Sequence, residues 1–205
     1  MSLRNALAPM FALLLAACAG APVPDVGYYR LKPVDRGAVG DTKYFSIPIV
    51  VDALIADGVY NDQAILYAQR SEGSIKAYHY QLWDEPPGQL LRRRLIDTLR
   101  ARNAARLVTD RLPPSIDSLR IFGRVERFER VKKGDAWLAG VRLELRVEHG
   151  AQHAPLLLSE YAAEVPAETE SIQSTVRAFA TAIDQCFAAF WTELQQLPQL
   201  QQAPP

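Results

Sequence analysis

Hydrophobic and polar positions along this chain repeat with a period that switches between two and about 3.6 residues, the marks of strand and helix respectively. Gly27-Tyr28-Tyr29-Arg30-Leu31 predicts a short first strand stopped at Pro33. Phe45, Ile47, Ile49 and Val51 alternate with Tyr44, Ser46, Pro48 and Val50, which predicts a second strand over 44–53. Pro48 has no amide to donate, so that strand is expected to lie at a sheet edge or to carry a local irregularity. Ala64 to Ala68 and Ile75 to Tyr80 flank a Ser71-Glu72-Gly73-Ser74 turn and predict a hairpin.

The period then lengthens. Leu91, Leu95, Thr98 and Leu99 share one helical face while Arg92, Arg93, Asp97 and Arg100 point elsewhere. Asp84 is the expected cap, and proline is tolerated in a first turn because the amides there lack helical partners. The arginines from Arg92 to Arg106 are expected to form a solvated helix face. Period two returns with Leu119, Ile121 and Val125, although Phe128 falls out of phase and predicts a bulge. After a turn at Lys132-Lys133-Gly134-Asp135, Trp137, Ala139, Val141, Leu143, Leu145 and Val147 alternate with charged residues, so a hairpin with one wet face follows. Leu156 to Val165 adds a strand. Ile172, Val176, Phe179, Ile183, Phe187, Phe190 and Leu194 draw an apolar stripe of about six turns, capped by Ser171 and ended by Pro198. The pattern predicts an α+β fold, a mainly antiparallel sheet with two principal helices packed on it, over 27–197.

The N-terminus has another character. Arg4 precedes a run of small and apolar residues from Ala6 to Ala17, too short for a permanent membrane helix, which needs roughly 20 apolar residues. A basic start, an apolar centre and small residues before a cut mark an export signal. This one ends in Leu15-Ala16-Ala17-Cys18, a lipobox. Residues 1–17 are therefore expected to be removed, Cys18 to be acylated, and 18–26, with Pro22 and Pro24, to tether the domain to a membrane. Ala19 stands where an aspartate would retain the protein in the inner membrane, so the periplasmic face of the outer membrane is expected. The glutamine- and proline-rich tail 198–205 is expected to be disordered.

Composition adds exclusions. Lysine plus arginine equal aspartate plus glutamate, 23 against 23, so the whole chain has no excess charge to drive binding to nucleic acid or anionic lipid. With Cys18 lipidated, Cys186 has no disulfide partner and is expected to be a small buried residue. No phosphate-binding glycine loop, serine elbow or paired-cysteine metal motif is present. His149 and His153 stand four apart, but Gly150 argues against the helix that spacing would need, and His79 has no acidic or serine partner nearby in sequence. No metal, no cofactor beyond the lipid on Cys18 and no catalytic residue are expected.

Taken in order, the lipobox, Tyr28-Tyr29-Arg30-Leu31, and Tyr78 followed by Trp83, Glu85, Pro86, Leu90 and Leu91 resemble the ABC-type transport auxiliary lipoproteins. Where some members carry Leu-Asp-Arg-Pro before the third strand, this chain has Tyr60-Asn61-Asp62-Gln63. The resemblance implies a non-catalytic accessory subunit that works with an MCE-domain protein and its ABC permease and ATPase to move phospholipid or other hydrophobic molecules. An edge strand at Pro48 together with Trp83, Pro86 and Pro87 is the candidate docking surface, with Trp83 packed over the helix start as the alternative. Two alternatives stay open: a lipid chaperone with a cavity between the Trp137 strand and the Phe179 stripe, and a structural lipoprotein of another envelope assembly.

Overall fold

The computed structural model describes residues 24–35, 43–69, 73–150 and 154–197. The lipobox with Cys18, most of the tether, His153, Pro198 and the tail lie outside the described residues. Along the chain come β1 (Gly27–Tyr29), β2 (Ile49–Ala56), β3 (Ala64–Gln69), β4 (Ile75–Trp83), α1 (Pro87–Ala101), β5 (Val108–Thr109), β6 (Leu119–Lys133), β7 (Ala136–His149), β8 (Ala154–Pro166) and α2 (Ile172–Gln195).

All strands join one 8-stranded sheet organised on β6. One edge of β6 pairs antiparallel with β7 from Leu119↔His149 to Lys133↔Ala136, and β7 pairs antiparallel with β8. The other edge is shared end to end. β2 runs parallel to its first half, Ile49↔Leu119 to Ala56↔Val125, and β3 runs parallel to its second half, Tyr67↔Arg130 to Gln69↔Lys132. Between them a 3-10 turn, Gly58–Asn61, fills the gap, and its Tyr60 hydroxyl donates to Glu129 Oε2 at 2.9 Å. Burial and that hydrogen bond push the Tyr60 phenol well above its ordinary range. β4 returns antiparallel to β3, and β1 adds parallel to the end of β4.

The pairing shift between Val125 and Arg127 is the bulge that the out-of-phase Phe128 predicts. It turns Phe128 onto the core face, where its ring lies 4.5 Å from Phe179 and 5.2 Å from Trp83. Both helices cover that same face. α1 sets Leu91, Leu95 and Leu99 over β2, and α2 sets Val176, Phe179, Ile183, Phe187, Phe190 and Leu194 over β7 and β8, all buried. The opposite face carries the polar half of the alternation, with Arg142–Glu160 at 3.4 Å and Arg127–Glu164 at 2.9 Å across strands. Ser171 caps α2 as expected, accepting from the Ser174 amide.

Several expectations are corrected. The second strand starts at Ile49, because Phe45 instead bridges to Ala105 beyond α1. Of the two expectations for the Pro48 strand, the edge is corrected, since the Pro48 carbonyl accepts from the Leu119 amide and the Ile49 amide donates to Leu107 on the other side, while the irregularity is present as a pairing shift between Val51 and Leu54. Proline fits there because it stands just before the ladder begins. Asp84 does not cap α1; Pro86 occupies the cap position without a side-chain hydrogen bond, and Asp84 pairs with Arg30 at 2.6 Å. The arginines of α1 are not simply a solvated face. Arg92 donates to the Val51 and Asp110 carbonyls, and Arg100 donates twice to the Val108 carbonyl, so these side chains clamp α1 to the ends of β2 and β5.

Candidate functional site

The Trp83 corner forms where β4 hands the chain to α1. The Trp83 amide donates to the Gln63 carbonyl at 2.7 Å, the Asp84 amide donates to the Tyr29 carbonyl at 2.9 Å, and Arg93 pairs with Glu85 at 2.6 Å. Burial raises the Glu85 carboxyl above its ordinary range, against the opposing pull of Arg93. These bonds aim the indole inward: Trp83 is 1% exposed and meets Phe179 edge to face at 5.3 Å. Pro87 is buried and Pro86 half-buried. Of the two readings of Trp83, exposed at a docking surface or packed over the helix start, the structure has the packed one, because the ring fills the core between β6 and α2.

The space between the Trp137 strand and the Phe179 stripe is filled as well. Phe128 stacks on Phe179, Phe190 meets Tyr161 at 5.8 Å, and Ala139, Val141, Leu143 and Leu145 are buried beneath them. Cys186 lies buried beside the stripe, and burial pushes its thiol up to about 11. Among the described residues no cluster of three metal-ligating side chains occurs, and His149 faces only Asp117, at 3.5 Å.

An open concavity lies elsewhere, in a groove of about 1000 Å³ between α1 and α2 that β1 and the segment after it close on one side. Its floor is an ion pair. Arg94, 8% exposed, donates from Nε and Nη2 to the two oxygens of Asp184 at 3.0 and 2.8 Å, and from Nη1 to the Lys32 carbonyl at 2.7 Å. Beside it Thr98, 7% exposed, has a hydroxyl with no hydrogen-bond partner among the described residues. Ala101, Val176 and Ala180 supply apolar wall, while Lys32, Arg102 and Arg177 stand at the rim. Sequence reasoning missed this groove, although Arg94 carried a signal. It falls between Leu91, Leu95 and Thr98 on the apolar side of α1, and a cation there requires an anion from another element.

Comparison with known proteins places the chain. The family defined as the ABC-type transport auxiliary lipoprotein component matches residues 29–189, and the chain belongs to it. The solved structure of protein XCC0632 from Xanthomonas campestris, assigned to DUF330, is similar with a TM-score of 0.72 at 16% identity, covering 86% of this chain and 100% of that one. A second solved structure, of an uncharacterized protein, reaches 0.66 at 16% identity, covering 83% of this chain and 99% of that one. At those identities the likeness concerns the fold. No curated protein matches the sequence. The chain is thus an auxiliary lipoprotein of an ABC-type transport system and a protein of the cell envelope. Among the described residues no helix is long and apolar enough to cross a membrane.

Proposed function

We propose that the protein is a non-catalytic accessory subunit of an MCE-type ABC transporter that moves phospholipid or another hydrophobic molecule through the envelope. The observation that carries this reading is the family match across nearly the whole folded domain. The role is positional. Acyl chains on Cys18 fix one end of the protein to the periplasmic face of the outer membrane, since two or three chains anchor where one binds only marginally. The folded domain holds the MCE assembly in register with that membrane, while the permease and ATPase supply energy from the other side. A ring-filled interface between sheet and α2 supports this reading over a chaperone that carries lipid inside its core.

Affinity purification of the lipidated protein from detergent-solubilised envelopes, with identification of the co-purifying proteins, tests the reading. Recovery of an MCE protein with its permease and ATPase is expected. Recovery of a secretion or lipopolysaccharide-insertion complex in their place would overturn it.

A further inference from the structure

We propose that the groove between α1 and α2 is a binding site for an anionic phospholipid, with the phosphate at the basic rim and the first acyl carbons along the apolar wall. The inference rests on the accessory-subunit reading only for the membrane position of the domain; the chemistry comes from the groove itself.

Charge selects an anion. Arg30, Lys32, Arg94, Arg102 and Arg177 line the groove against two acids, Asp35 and Asp184, and Arg94 already consumes the charge of Asp184. Arg177 pairs with Glu168, and with both side chains exposed, 48% and 79%, that pair is weakly held and readily exchanged for a phosphate, whereas Arg30 stays with Asp84, which is 17% exposed. Arg102 lies 5.8 Å from the Trp191 ring, which steadies its guanidinium at the rim. The buried Thr98 hydroxyl is a donor without a partner among the described residues, the kind of group that a ligand oxygen satisfies.

Size and lining select an amphiphile over a free anion. A groove of about 1000 Å³ is at the upper end of the range for small-molecule sites, and Val176, Ala180 and Ala101 offer inorganic phosphate nothing. Position selects a membrane lipid. Tyr28 of β1 lines the groove and is 65% exposed, with exposed Val26 two residues earlier. Tyrosine with neighbouring apolar and basic residues suits a bilayer interface. Cys18 precedes Gly27 by nine positions, so even a fully extended tether keeps this strand within about 30 Å of the anchor.

The test uses the mature lipidated protein in non-ionic detergent, titrated calorimetrically with dihexanoyl-phosphatidylglycerol, dihexanoyl-phosphatidylcholine and glycerol phosphate. Saturable binding of the phosphatidylglycerol is expected, with each of the other two about tenfold weaker or more. The rim reversal Arg102→Glu/Arg177→Glu, which alters exposed side chains, is expected to weaken binding by about tenfold or more while the melting temperature stays put. Ala180→Phe, which fills the wall without changing charge, should weaken it too. Absent phosphatidylglycerol binding, binding indifferent to both variants, or glycerol phosphate binding equal to that of the lipid would each overturn the proposal. So would loss of transporter recovery in the rim variant without lipid binding in the wild type, because the groove would then take a protein. Transporter recovery without lipid binding defeats this inference alone; lipid binding without any transporter defeats the accessory-subunit reading alone.

Discussion

Arg94 on α1 and Asp184 on α2 meet through two parallel hydrogen bonds of 3.0 and 2.8 Å across the floor of the groove, and the two ends of this pair differ in burial. The arginine is 8% exposed and the aspartate 52%. Asp184→Ala therefore strands a buried guanidinium with two unpaired donors, at a cost of about 2–4 kcal/mol. Arg94→Met leaves a carboxylate that water reaches and costs less, about 1–2 kcal/mol. Urea denaturation of both variants checks the asymmetry; equal losses would contradict it.

Trp83→Ala empties the ring cluster with Phe128 and Phe179. A loss of about 3–5 kcal/mol and a fall in melting temperature of about 10 °C are expected. A variant with unchanged melting temperature that no longer binds its partner would restore Trp83 to the docking surface.

Gly88 permits the close seating of α1 on β2. A Cβ built there would stand 2.2 Å from the Leu54 carbonyl oxygen, a backbone atom that cannot swing away. Gly88→Ala gains up to about 1 kcal/mol of helix propensity. The clash outweighs it, and a net destabilisation of about 2–4 kcal/mol is expected by thermal melting. An unchanged or raised melting temperature would contradict the contact.

Burial pushes the Cys186 thiol from its ordinary range up to about 11. The folded state holds its proton longer, so this group's contribution is whole below about pH 8.5 and is lost as pH rises toward 11, by about 1.4 kcal/mol per unit. The wild type should lose stability over that window more steeply than Cys186→Ala, and its thiol should resist iodoacetamide at about pH 8 until denaturant is added. Equal pH profiles would place the thiol in water.

Period and caps made most of the fold legible. The hairpins β3–β4 and β6–β7, the bulge before Phe128, the Ser171 cap and the stripe of α2 all follow from short-range pattern. The parallel joints did not, because β2 and β3 find opposite halves of β6 from about 70 residues away in sequence, and nothing local encodes that meeting. The same limit hid the candidate site. Arg94 and Asp184 are 90 positions apart, and the groove exists only once α1 and α2 lie side by side. Trp83 stays open between exposure and packing in the sequence for a related reason: the prolines after it suit an exposed corner, while the backbone bonds to Gln63 and Tyr29 turn the indole inward.

Cross-linking in intact cells followed by denaturing affinity isolation, with the wild type beside Cys18→Ala, tests the central claim most directly. The account predicts that the acylated wild type captures components of an ABC transporter and that the variant without the acyl anchor captures far less. Stable, membrane-localised wild-type protein that captures no transporter component would contradict it.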